Sequence, residues 1–112
     1  MNRDRVYLEH ILECIRRIEE DVAAGREAFL ASHTIQDAVL RNLQILSESA
    51  QRVSQKAKDM RREIPWRDIA NFRNRVVHDY FHIDLDIVWG IIHHDLPQLK
   101  QAVQSLAANK PS

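Results

Sequence analysis

Arg73 and His78 stand with four residues between them in the stretch Arg73-Asn74-Arg75-Val76-Val77-His78-Asp79-Tyr80. A guanidinium is a permanent cationic fork that holds a phosphate through two hydrogen bonds, and an imidazole exchanges a proton near neutral pH. Together they suffice for metal-free phosphodiester chemistry on RNA, provided that the fold brings them to one place. On a regular helix, residues five apart lie about 140° apart around the axis. Either a helix ends or kinks before His78, or the two groups line opposite walls of a cleft made with a second protomer. Asn74 is an i,i+4 neighbour of His78 on a continuing helix, from where its side chain can fix the imidazole tautomer.

The elements that must position these residues read as helices. Leu8, Ile11, Ile15, Ile18 and Val22 recur at spacings of three and four and make one apolar stripe, with a weak point at Ala24-Gly25. Ile35, Val39, Leu43, Leu46, Ala50, Val53, Ala57 and Met60 predict one long second helix, capped by Ser32 or Thr34. Pro65 opens a third that runs from Trp66 into the mid-seventies and buries Ile69, Phe72 and Val76. Asp84 is an N-cap for a fourth containing Leu85, Val88, Trp89 and Ile92; Asp95 and Pro97 open a last one with Leu99, Val103 and Leu106. With two Gly, three Pro and no strand alternation, the expected class is all-α, an up-and-down bundle of four to five helices. Residues 1–106 read as one domain and 107–112 as a frayed tail.

At 112 residues the chain can build a single core with little surplus. No run approaches a membrane span, and the N-terminus lacks the apolar centre of a signal peptide, so the expected location is cytoplasmic. A net charge of zero argues against coating nucleic acid by charge alone. The distribution is uneven: Arg52 to Arg75 hold eight Lys and Arg against three acids, an excess of five positive charges. This is either a solvated helix face or a contact for an RNA backbone, and its place beside the Arg–His pair points to the second.

The other candidates carry less. Six histidines include the pair His78 and His82 and the run His93-His94-Asp95, yet no H-E-x-x-H pattern or four-ligand spacing accompanies them, and no metal is expected. Trp66 and Trp89 read as core or interface residues rather than base-stacking platforms. Cys14 falls on the first stripe as a buried thiol. Glu48 either pairs with an arginine near the site or is an exposed helix residue.

The wider pattern Ile64-Pro65-Trp66-Arg67, Phe72-Arg73-Asn74 and His78-Asp79-Tyr80 resembles the HEPN superfamily, and more closely its HepT-type toxins, whose signature is R-x-x-x-x-H-x-Y. The resemblance extends from about Ile35 to Leu99 and departs at Ser47-Glu48-Ser49, where relatives often carry G-E-A. It implies a metal-independent endoribonuclease of a type VII-like toxin–antitoxin pair, with Arg73 and His78 catalytic, Asn74 supporting and Tyr80 the regulatory tyrosine. It further implies no cofactor, a homodimer whose two motifs face a shared cleft, and a minimal nucleotidyltransferase (MntA-like) antitoxin that AMPylates Tyr80. The region around Phe72, Val76 and Tyr80 is expected near the dimer contact. The alternatives are a non-catalytic HEPN module that binds nucleotide or a partner, and a purely structural helical adaptor.

Overall fold

The computed structural model describes residues 2–79 and 82–108, with the side chains of Asn2, His78 and Asp79 left aside. Among the described residues eight α-helices run in order: α1 (Asn2–Asp21), α2 (Arg26–Ala31), α3 (His33–Arg52), α4 (Gln55–Asp59), α5 (Trp66–Ala70), α6 (Phe72–Val76), α7 (Leu85–Gly90) and α8 (Leu96–Ala108). Two short strands, β1 (Val77–Asp79) and β2 (His82–Ile83), separate α6 from α7, and a π turn over Ile91–Asp95 joins α7 to α8. The class is the expected all-α bundle. No helix among the described residues is long and apolar enough to cross a membrane.

The long helices α1 and α3 lie side by side, α8 covers the other flank of α1, and α5 and α6 rest on α3. Their stripes meet in one core that buries Ile11, Ile18, Phe29, Val39, Leu46, Phe72, Val76 and Val103 to within 1% of full burial. Gly25 has a φ of 100°, a conformation that a side chain would strain, and this ends the first helical stretch where the sequence weakens. Ser32 Oγ accepts from the Ile35 N–H at 3.2 Å and is the cap of α3. Asp84 Oδ1 accepts from the Ile87 N–H at 3.1 Å and caps α7.

The boundaries depart from the periodicity at three places. The second helix stops at Arg52, because Val53 and Ser54 are extended and Ser54 caps a separate α4. Asp4 of α1 fixes this joint by accepting from the Ser54 N–H at 2.8 Å and its hydroxyl at 2.6 Å. Val53 and Ala57 still face the core, so the stripe survives the break. The third helix is interrupted at Asn71, with φ −114° and ψ 13°. Ser47 Oγ and Gln51 Nε2 of α3 donate to the carbonyls of Ile69 and Ala70 at 2.9 and 3.1 Å. Those carbonyls would otherwise serve the N–H groups of Arg73 and Asn74 in a continuous helix. The last two helices, by contrast, fuse: the Leu96 N–H reaches the Ile91 carbonyl five residues back, so Asp95 opens no new element.

Candidate active site

Arg73 belongs to α6, a helix of five residues held by its two apolar members. Phe72 and Val76 are 1% and 0% exposed and anchor it, while Arg73, Asn74 and Arg75 are left on the outer surface. Phe72 and Val76 spend their side chains on the core of one chain, so what this region offers to a second protomer is its outer face. The two outward arginines differ. Arg75 has its guanidinium 3.8 Å from Asp95 at the end of the π turn and lies over the Phe72 ring at 5.7 Å. Arg73 makes no side-chain ion pair or hydrogen bond among the described residues, which leaves its fork open to an incoming anion.

The helix ends before His78, the first of the two geometries open to the sequence. Val77 is extended at φ −100° and ψ 112°, as suits the β-branched pair Val76-Val77. The Val76 carbonyl then accepts from the Asp84 N–H at 2.8 Å, which ties the far side of the ribbon to the end of α6. In that ribbon Val77 pairs with Ile83 and Asp79 with His82, antiparallel. Two steps on β1 thus match one step on β2, and His78 is the extra residue of a bulge. A bulge re-aims a side chain relative to its ladder neighbours. The 140° separation of an ideal helix therefore does not apply, and no second protomer is needed to explain it.

The premise for Asn74 fails for the same reason. With α6 ending at Val76, Asn74 and His78 are not helical i,i+4 neighbours, and the Asn74 amide instead donates to Asn71 Oδ1. Tyr80 lies outside the described residues. Glu48 is exposed and accepts from Gln44 Nε2 at 3.3 Å; among the described residues it meets no arginine. Trp66 is buried with its indole N–H on the Arg61 carbonyl at 3.1 Å, and Trp89 is stacked between Phe29 and His93 with centroids at 5.4 and 4.1 Å. His93 Nδ1 also lies 3.2 Å from the Trp89 carbonyl, which accounts for that imidazole structurally. Among the described residues no group of three His, Cys, Asp or Glu could hold a metal ion.

Periodicity alone misses the clasp of Ser47 and Gln51 on the end of α5. A signal for it exists: Ser47 interrupts the apolar stripe between Leu43 and Ala50 and is 4% exposed, and a hydroxyl buried there must find a partner. The bulge at His78 has no comparable signal, since three-residue strands are too short for alternation to register.

The fold is thus a helical bundle in which an exposed Arg73 precedes, by five residues, a histidine at a strand bulge. The sequence model of the HepT-like ribonucleases matches residues 11–106, and this chain belongs to that family. It is similar to a Thermococcus cleftensis protein named "probable ribonuclease HepT", with 37% identity over 101 residues covering 89% of this chain and 92% of the relative. It is similar also to a Caldanaerobacter subterraneus protein named "putative RNase", with 31% identity over 95% of this chain and 96% of that one. A Methanocaldococcus jannaschii relative, named a gamma-glutamylcyclotransferase and putative RNase, is 34% identical, and the chain spans 47% of its length. No solved structure matches the chain.

Proposed function

We propose that this protein is a metal-independent endoribonuclease in which Arg73 and His78 act on one RNA phosphodiester. The observation that carries the reading is the contrast within α6: Arg75 is taken up by Asp95, whereas Arg73 stands exposed and uncommitted five residues before the bulged His78. The RNA's own 2′-oxygen attacks phosphorus and the bond to the 5′-oxygen breaks, giving a 2′,3′-cyclic phosphate and a 5′-hydroxyl. No water is consumed. The 2′-hydroxyl loses a proton and the leaving oxygen gains one. His78 carries one of these transfers, as general base or acid, an effect of about 10²–10⁴-fold. The other transfer falls to solvent or to a second protomer. Arg73 stabilises the charge gathered on the phosphate oxygens in the transition state.

Family resemblance supplies the remainder of the reading. The protein acts as a homodimer and as the toxin of a pair, and a minimal nucleotidyltransferase antitoxin transfers AMP to Tyr80. The phenol oxygen attacks the α-phosphorus of ATP and pyrophosphate leaves. The AMP adds an anion and a bulky base near Arg73, which then compete with the RNA phosphate. With the helix ending at Val76, the dimer rests on this resemblance and no longer on helix geometry. The decisive experiment is cleavage of RNA by the purified protein in EDTA. Wild type is expected to cut, and Arg73→Ala and His78→Ala to be inactive with unchanged helical circular dichroism. Cleavage that requires a divalent metal, or that survives both substitutions, refutes the chemistry.

A further inference from the structure

The eight cations between Arg52 and Arg75 separate into distinct groups once their neighbours are known. Arg52 lies over the Tyr7 ring at 6.0 Å, Arg61 faces Glu63 at 3.2 Å, and Arg75 faces Asp95. Lys58, Arg62 and Arg67, contributed by α4, the turn after it and α5, line one open groove of about 450 Å³. Among the described residues Lys58 and Arg67 make no side-chain ion pair, and Arg62 has only Asp59, at 3.9 Å. On α1 the pattern is the opposite, since Arg16 and Arg17 are neutralised by Glu13 and Glu20 at 2.6 to 2.9 Å. A groove that gathers three cations against the single acid Asp59 holds a net positive field.

Its lining selects among anions. Trp66 is 9% exposed and contributes an apolar floor rather than a protruding ring, so the groove offers no aromatic anchor of the kind protein interfaces use. It offers no stacking platform for a base either. What remains is contact with charge, supplemented by two amides. Gln51 and Gln55 each donate one N–H, to the Ala70 carbonyl and to Asp59, and their amide oxygens serve as acceptors. A ribose hydroxyl is a donor that fits them. The groove also lies within reach of the chemistry: Arg67 and Arg73 are six residues apart, which even a fully extended chain spans in about 20 Å.

We infer that this groove is a phosphate track for the strand that Arg73 and His78 cut, with Lys58, Arg62 and Arg67 holding backbone phosphates of single-stranded RNA independently of base sequence. The inference rests on the nuclease reading for its substrate, and a binding experiment separates the two. His78→Ala protein is titrated with a short fluorescein-labelled single-stranded RNA in EDTA across a salt series, followed by fluorescence polarisation. Adding Lys58→Gln, Arg62→Gln and Arg67→Gln is expected to weaken binding about tenfold or more near 0.1 M salt. Each phosphate contact on a single strand contributes about 0.7 to the slope of log K against log salt, so the slope becomes shallower by about 2. Arg5→Gln, Arg16→Gln and Lys100→Gln remove the same charge from other surfaces and are expected to leave both quantities unchanged.

An unchanged affinity and slope in the groove variant overturns the track, as does an equal loss in the control, which would make it an effect of net charge. An acidic polypeptide that competes as well as unlabelled RNA overturns the choice of RNA. Groove-dependent binding by a protein whose wild type does not cleave refutes the nuclease and keeps the track; cleavage with groove-independent binding does the reverse.

Discussion

The clasp of α3 on the end of α5 is where stability and activity can be measured apart. Ser47→Ala removes a hydroxyl that is 4% exposed and donates to the Ile69 carbonyl at 2.9 Å. That carbonyl keeps a second donor, the Asn71 N–H, so it is not orphaned. The loss is therefore one net hydrogen bond, about 1 kcal/mol, rather than the full cost of an unsatisfied buried group. For a chain of this size that lowers Tm by about 4 to 6 °C. Gln51→Ala removes the neighbouring bond at 3.1 Å on an exposed side chain and costs less, about 0.5 kcal/mol. Both bonds hold one turn, so the double variant should depart from additivity. Urea titrations followed by circular dichroism give the free energies, and RNA cleavage well below Tm gives activity per folded molecule. We expect the rate to fall with little change in KM, because the turn orients α6 and hence Arg73, and Ser47→Cys to recover part of it. A Tm unchanged in the double variant refutes the energetic argument. A lowered Tm with full activity per folded molecule reduces the clasp to a stability element.

Sedimentation at micromolar concentration should show a dimer; a fully active monomer would refute the shared cleft. Incubation with ATP and a cognate nucleotidyltransferase should add AMP to wild type but not to Tyr80→Phe, as read by mass spectrometry, and equal modification of both would remove Tyr80 from that role. Hydrogen bonds from Arg16 and then Arg17 hold the Glu13 carboxyl down to about 2 from a usual 4.5. A depressed carboxyl contributes stability above its unfolded pKa and loses it as pH falls, so wild type should lose stability between about pH 4.5 and 2 and Glu13→Gln less so over that window. Thermal melts across that range provide the check. Burial raises the Cys14 thiol above its ordinary value, so a disulfide reagent at neutral pH should label it only at the rate of unfolding; rapid labelling of native protein would contradict its place in the core.

The periodic stripes are sufficient for the class and for the core, because burial of one face is what a spacing of three and four encodes. Ile11, Leu46, Phe72 and Val103 all lie where the pattern puts them. The breaks are not legible, because each depends on a side chain from a distant part of the chain. Asp4 is 50 residues from Ser54, and Ser47 is 22 from Ile69. A stripe cannot register such a bond, since the residues on either side of the break keep facing the core. Arg73 and His78 stand out by type and spacing, but their relation depends on where α6 stops. That is set by the ribbon and by the Asp84 N–H on the Val76 carbonyl, not by helix propensity. The basic segment is visible as a sum of charges, whereas its division into paired and unpaired cations needs the positions of Tyr7, Glu63 and Asp95.

The π turn between α7 and α8 gives this region a spare residue. A π turn closes its hydrogen bond over one residue more than the α-helix on either side, so it holds an insertion without rotating the helix beyond it. Elsewhere in a helix the same insertion would rotate every later side chain by about 100°. Leu96, Leu99 and Val103 would then swing away from the core. Chain length at Ile91–Asp95 is thereby uncoupled from packing: loss of a residue such as His94 relaxes the turn to α-helix and leaves α8 seated. The same slack makes the end of that turn, where Asp95 meets Arg75, a place where sequence length can drift while the helices around Arg73 stay put.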